Sequence, residues 1–345
     1  MRFGSTLVSL SVAVASTLPN TMLVPFSPGS EPFSWETELV GGREYFPAER
    51  VAAFYSFDLE CDKGHCHFRR GKDGPVMTWS LGQPRIDLHG IRFRLNYPLL
   101  AGREGGLLIS RMDVEKMLDP VLRPWFIRDA EPFSLVVIDP RHGGRDGGAK
   151  GPEGFEKVYN LDVAKRLKEK LRKAGVESEL TRKDDSYVSL TRRVLLANRH
   201  ETAVFVSIHF NHGGGGIVSD AHGIETYALA PRGTGATNDG TVSAKAFAGN
   251  RLDAMNIALA TAVHAATLGA LATEDRGIRR ARFHVLRDIQ IPAILFEGGY
   301  LSHTEEGVRI HDEAYRESLA EGIALGLLRY RQAMRPAPPP APSSP

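Results

Sequence analysis

The stretch Ser134-Leu135-Val136-Val137-Ile138-Asp139-Pro140-Arg141-His142-Gly143-Gly144 decides how this chain is read. Its first half is an unbroken apolar run, as expected of a parallel strand buried on both faces, and it ends on an acid and a histidine among glycines. Glu156 then opens a helical segment over 156–174. Within it Val158, Leu161, Ala164, Leu167 and Leu171 recur at spacings of three and four, and Gly175 follows as a C-terminal cap. The alternation continues with strand 176–180, helix 190–200, strands 204–209 and 224–229, helix 252–268, strand 293–296 and helix 314–330. It predicts an α/β domain over 131–334, built on a twisted, mostly parallel sheet flanked by helices.

Working outward, 345 residues hold about two domains. Hydrophobic residues make up 42% and charged residues 24%, so the chain has the composition of a globular protein. Forty-three basic against 41 acidic side chains leave a net charge of +2, which excludes the broad basic surface of a nucleic-acid binder. Two cysteines exclude a disulfide-stapled fold and a four-cysteine zinc module, so a metal site here must draw on His and carboxylate ligands.

Residues 39–130 read as a small α+β domain. Segments 43–54 and 106–117 share a pattern of short strand, turn and helix start, with short strands at 77–80, 85–88 and 91–96 between them. The pattern resembles the small module at the N-terminus of copper amine oxidases. Cys61 and Cys66, with His65 and His67 beside them, read as a local disulfide or a small metal site. At the ends, 1–15 has the form of a short signal peptide: Arg2, an apolar run, then Ala13-Val14-Ala15. Its apolar run is shorter than the roughly 20 residues of a membrane span, so no stable span is expected. Residues 16–38 read as a linker and 335–345 as a Pro-rich tail, and the expected location is the periplasm or cell envelope.

In open α/β sheets the chemistry gathers beyond the carboxyl ends of the strands. Reading those positions yields His142 after the first strand, Glu156 at the first helix start, His209 after 204–208, and Glu297 after 293–296. Two imidazoles and a carboxylate form the three-donor, open-position set of a hydrolytic zinc, and a second carboxylate can serve as general acid and base. Singly, each His is an ordinary strand-end residue and Glu156 an ordinary first-turn acid. Glu297 is less ordinary, because a carboxylate following Pro292-Ala293-Ile294-Leu295-Phe296 is half-buried and needs a reason.

At these residues the sequence resembles the zinc-dependent N-acetylmuramoyl-L-alanine amidases of the amidase-3 family, which hydrolyse peptidoglycan. The resemblance rests on six ordered blocks: 139–144, Glu156, Thr181-Arg182, 190–198 with Arg193, 207–211 and 292–303. It implies His142, Glu156 and His209 as ligands of Zn2+ and Glu297 as the catalytic carboxylate. It also implies hydrolysis of the amide between N-acetylmuramic acid and L-alanine, with peptidoglycan as partner. Arg182, Arg193 and Asn211 are candidate substrate-binding residues, with ion pairing to Asp184, Asp185 or Glu201 the equal reading of the two arginines and a turn role that of Asn211; the N-terminal domain is a candidate contact for an envelope protein. Other readings are a zinc peptidase acting on stem peptides and a catalytically silent peptidoglycan-binding protein. Arg141 departs from the family's glycine. If that position needs positive φ the loop is strained or rearranged, and otherwise Arg141 faces the substrate as a cation. Tyr300 and His303 replace the usual Phe and Asn, changes expected to be mild.

Overall fold

The computed structural model describes residues 35–72, 76–103, 105–214 and 218–335. The expected signal peptide, most of the linker and nearly all of the Pro-rich tail lie outside the described residues. Strand Leu135–Pro140, buried along almost its whole length, sits between Glu177–Leu180 and Ala203–Asn211 and runs parallel to both. Ala203–Asn211 pairs in parallel with Ala293–Tyr300, which takes Ile224–Leu229 on its other side in antiparallel sense. The mostly parallel sheet is therefore as expected. Two strands are longer than their apolar runs, because Ala203–Asn211 and Ala293–Tyr300 carry their pairing through the polar residues of the site.

Helices cover both faces. Glu156–Lys173, Asp253–Ala270 and Glu313–Ala333 enclose the larger core, where Val163, Leu167, Leu259, Val263, Ile323 and Leu327 meet Ile138, Val206 and Ile294. Leu190–Ala197 and His284–Arg287 cover the smaller core on the opposite face, built on Val137, Phe205 and Leu295. Strand Asp275–Ala281 was not visible as a strand in the sequence, since Asp275-Arg276-Gly277-Ile278-Arg279-Arg280-Ala281 carries four charges. It is ordered because those charges are used: buried Arg280 donates to the Leu229 carbonyl at 3.2 Å and to the Lys116 carbonyl at 2.5 Å.

In the N-terminal region the two similar segments form strands Arg43–Pro47 and Leu107–Ser110, paired antiparallel and each running into helix. The strands between them, Asp58–Asp62, His65–Arg69, Val76–Ser80, Arg85–Leu88 and Ile91–Arg94, form an antiparallel meander. Cys61 and Cys66 face each other across its outer hairpin and are joined by a disulfide. The meander continues the catalytic sheet: Phe93 pairs with Ile278 in parallel sense, giving one sheet of eleven strands with a shared core.

Asp275 secures that junction. Its carboxylate accepts the Arg92 backbone N–H at 2.7 Å and lies 2.9 Å from Nε2 of buried His264, whose Nδ1 meets the Thr226 hydroxyl at 2.9 Å. Next to it Gly277 has φ +95°, and a Cβ there would lie 2.9 Å from the Arg92 carbonyl oxygen. Only a residue without a side chain lets the two strands approach so closely. Gly277→Ala is expected to cost about 1–3 kcal/mol of stability, read as a lowered midpoint of denaturation with native secondary structure retained. An unchanged midpoint would show that the junction does not need the glycine.

Candidate functional site

The loop after Leu135–Pro140 turns through three consecutive residues of positive φ: His142 at +63°, Gly143 at +125° and Gly144 at +57°. The left-handed position thus falls on the histidine, and Arg141 keeps ordinary backbone geometry. Of the two readings of Arg141, the strained one is set aside. Its guanidinium lies instead 3.8 Å from Asp146, over the loop.

Helix Glu156–Lys173 delivers Glu156 at its first residue, nearly fully buried. Its carboxylate is fixed by backbone N–H groups of Ala149 at 2.9 Å and Phe210 at 3.2 Å, and by the Asn160 amide at 3.1 Å. His142 Nε2 lies 3.0 Å from Oε2 and His209 Nδ1 lies 3.2 Å from Oε1. One donor atom from each of the three residues falls within 4.8 Å of the others. Burial would raise the Glu156 carboxyl, but hydrogen bonding with His142 and then His209 holds it far below the usual carboxylate range. Behind His142, Asp146 Oδ1 sits 2.8 Å from Nδ1 and orients the ring so that Nε2 faces the cluster.

The donor set suits a divalent metal of intermediate softness. Two neutral imidazoles and a carboxylate are the usual company of zinc in a hydrolytic site. Two observations support the fit. His209 Nε2 is buried without a hydrogen-bond partner. Gly148, at φ +69°, leaves open a space where a Cβ would sit 2.5 Å from Glu156 Oε2 and 2.6 Å from the His142 ring.

Glu297 lies beside this cluster, in register with His209 on one side and Glu225 on the other. Its Oε2 is buried and unpartnered, and burial, with the charges of Glu156 and Glu225, pushes its carboxyl well above the ordinary value. Glu225 has the opposite environment. It is held by the Tyr227 and Tyr300 hydroxyls, by Arg276 at 2.8 Å, Arg279 at 3.2 Å and the Asn211 amide at 3.2 Å. Burial would raise it, but the Tyr227 hydroxyl, the two arginines and Tyr300 bring it below the usual range. Tyr300, a departure from the family pattern, thus gains a partner, and His303 caps helix Thr304–His311 by accepting the Glu306 N–H at 3.2 Å.

Arg182 and Arg193 stand behind the loop and are taken up by its backbone. Arg193 is fully buried, ion-paired with Asp139, and donates to the carbonyls of Pro140 at 3.1 Å and His142 at 2.7 Å. Arg182 donates to the carbonyls of Pro140 at 2.7 Å, Arg141 at 3.1 Å, Lys157 at 2.7 Å and Asp184 at 2.9 Å. Those commitments leave neither guanidinium an edge for a peptide carboxylate. Asn211 is half-buried at the end of its strand and is bonded to Glu225. Sequence reasoning passed over Asp146 and Glu225. Glu225 carried the same signal as Glu297, an acid inside an apolar strand, Ile224-Glu225-Thr226-Tyr227-Ala228-Leu229.

A sheet that gathers two imidazoles and a buried carboxylate at its strand ends, with a second buried carboxylate at the start of the adjoining helix, has the make-up of a hydrolase site. The chain belongs to the N-acetylmuramoyl-L-alanine amidase family, whose model matches residues 136–329. It is 32% identical over 203 residues to the uncharacterized protein YqiI of Bacillus subtilis, covering 58% of this chain and 87% of that protein. With the sporulation-specific N-acetylmuramoyl-L-alanine amidase of the same organism it shares 33% identity over 56% of this chain, and spans 66% of that relative's length. Among solved structures, the N-acetylmuramoyl-L-alanine amidase AmiC2 of Nostoc punctiforme is 36% identical, with 57% of this chain and 97% of that one covered and a TM-score of 0.48.

Asp139 is the support of the loop: burial would raise its carboxyl, but Arg193 and the Thr181 and Ser207 hydroxyls hold it below the ordinary 3.8. A carboxyl depressed in this way contributes stability that is complete above pH 3.8 and is lost as pH falls through the lower folded value. Asp139→Ala is expected to cost about 3–5 kcal/mol, since it leaves Arg193 buried and unpaired, and to flatten that acid limb of the stability profile. Wild-type stability in chemical denaturation would contradict the assignment.

Proposed function

We propose that this protein is a zinc-dependent N-acetylmuramoyl-L-alanine amidase that cleaves the amide joining the lactyl group of N-acetylmuramic acid to L-alanine in peptidoglycan. The observation that carries the reading is the convergence of His142, Glu156 and His209 within 4.8 Å, with the unpartnered Glu297 carboxyl alongside. Family membership supports the choice of bond.

His142, Glu156 and His209 would hold the metal, with Asp146 fixing the ring of the first. When bound there, zinc supplies Lewis acidity toward the amide carbonyl and the attacking water. Glu297 does the proton work. Its Oε2 takes a proton from the water and passes it to the departing alanine nitrogen, a task suited to a carboxyl whose buried setting raises its proton affinity. The products are a glycan strand and a free stem peptide. Arg182 and Arg193 act as positioning residues, holding the carbonyls of the loop that presents His142.

We infer that the protein works outside the cytoplasmic membrane, where peptidoglycan lies. The Cys61–Cys66 disulfide supports an oxidising compartment.

Digestion of purified sacculi is expected to expose the amino group of the stem's L-alanine, to stop with chelator and to resume with zinc. Cleavage within the stem peptide would overturn the choice of bond. Glu297→Gln should keep its zinc while turnover falls by roughly 100-fold or more, and near-normal turnover would remove Glu297 from the mechanism. His142→Ala and His209→Ala should lose zinc by metal analysis, and full zinc content would refute the ligand assignment.

A further inference from the structure

Arg141, Arg182 and Arg193 all sit at the loop that presents His142, and the last two are spent on its backbone, on carbonyls of Pro140, Arg141 and His142. Arg141 is not. Among the described residues its guanidinium donates no hydrogen bond, and its charged partner, Asp146 Oδ2, stands 3.8 Å away. Asp146 is committed through its other oxygen, Oδ1, which lies 2.8 Å from His142 Nδ1 and accepts the Gly148 N–H at 3.3 Å. It orients the Arg141 fork without occupying it. The Arg141 side chain keeps 19% of its surface exposed, so its donors are open to a ligand. The family pattern has glycine at this position, so this cation is a feature of this chain.

The register of the sheet says which way Arg141 faces. Pro140 pairs with Ile208, and the Arg141 N–H still reaches the Ile208 carbonyl at 3.3 Å, so the next rung of the ladder sets Arg141 against His209. His209 is in register with Glu297, and Glu297 with Glu225. Paired residues share a face, and two residues back along the strands Asp139 and Ser207 meet through their side chains on this one. Arg141, His209, Glu297 and Glu225 therefore form one row across the strand ends. By strand spacing, the backbone of Arg141 lies about 5 Å from that of His209 and about 10 Å from that of Glu297. Its charge is felt at His209: burial lowers the proton affinity of that ring, Glu156 raises it, and Arg141 lowers it again.

We propose that Arg141 is a specificity-determining residue that binds a carboxylate of the stem peptide, the one carried by the glutamyl residue that follows the alanine at the cut. The inference deepens the amidase reading above and rests on it. Beside the scissile bond the glycan has no ionised group, so the anions of the substrate lie on the stem. That carboxylate is about two residues, ~7 Å, from the reacting carbonyl in an extended chain, within reach of a long side chain one strand from His209. A guanidinium with uncommitted edges takes a carboxylate through two parallel hydrogen bonds. Neighbouring cations are otherwise employed. Lys157 is bonded to Asp185 at 2.7 Å and to the Gly144 carbonyl at 2.9 Å, and Arg145 lies over the Tyr187 ring at 4.6 Å. At the far end of the row Arg276 and Arg279 are held by Glu225 at 2.8 and 3.2 Å.

The test uses the full chain and two substrates that share one glycan and differ in the second stem residue, glutamate with its free carboxylate or the corresponding carboxamide. Wild type is expected to favour the carboxylate by about tenfold in kcat/KM, mainly through KM, as a hydrogen-bonded charge at a partly exposed site should. Arg141→Gln, with its zinc content checked by metal analysis, should bring that ratio close to one. Arg141→Lys should keep part of it, since the charge remains and the fork is lost. Glu297→Gln protein should bind the intact carboxylate substrate more tightly than the carboxamide, a difference that shrinks as salt is raised. No wild-type preference, a ratio unchanged in Arg141→Gln, or a preference lost in Arg276→Gln instead overturns the assignment and leaves the amidase reading standing. An equal fall in kcat on both substrates would set the guanidinium at the reacting carbonyl, and loss of zinc in Arg141→Gln would make it a support of His142; either overturns the assignment as well. Wild-type protein that frees no peptide from either substrate overturns the amidase reading, and the binding comparison then decides Arg141 alone.

Discussion

The Asp139–Arg193 pair is the constraint on which the site depends. Both side chains are sealed from solvent, where an unpaired charge is untenable, so each fixes the other. The remaining bonds of the pair reach outward. Asp139 takes hydroxyls from Thr181, beyond the strand on one side, and Ser207, in the strand on the other, while Arg193 binds carbonyls of Pro140 and His142. The ends of three neighbouring strands are thereby held at one level, and His142 is kept in a left-handed conformation that a β-substituted residue adopts only under such restraint. The precision of the cluster is inherited from a fully satisfied polar network beneath it.

Two carboxylates paired across one ladder show how environment divides labour. Glu225 and Glu297 lie opposite each other, and both are buried. Glu225 has two arginines, two phenols and an amide around it; Glu297 has an unpartnered oxygen. The first is held ionised and the second is pushed toward protonation, so two residues of the same type are set to opposite proton affinities, the division that the proposed role of Glu297 requires. The negative charge of Glu225 is itself part of what raises Glu297.

Much of the catalytic region was legible because its signals are local. Continuous apolar runs mark strands buried on both faces, and the polar residue that ends each run lies where such sheets place their chemistry, which brought out His142, His209 and Glu297. Function-bearing strands outlast their apolar runs, so their ends were placed too early. Other features need knowledge of neighbours. Arg280 looks like a surface residue until the carbonyls that absorb it are known. Arg182 and Arg193 read equally as carboxylate forks and as structural partners of nearby acids, because nothing in their own segments announces the carbonyls they bind. Joining of the meander to the catalytic sheet depends on Phe93 meeting Ile278 across more than 180 residues of chain, and on a glycine whose role is visible only against Arg92.

That joining bears on where this protein can be divided. The outer edge of the catalytic sheet, Asp275–Ala281, is occupied by Ile91–Arg94, and the Asp275 carboxylate is spent on the Arg92 backbone. A fragment starting near residue 131 would present that strand with unpaired peptide groups and a row of arginines stripped of its cover. A bare edge of this kind is a template for intermolecular pairing. The N-terminal region therefore serves the catalytic part as its edge protection, whatever else it binds.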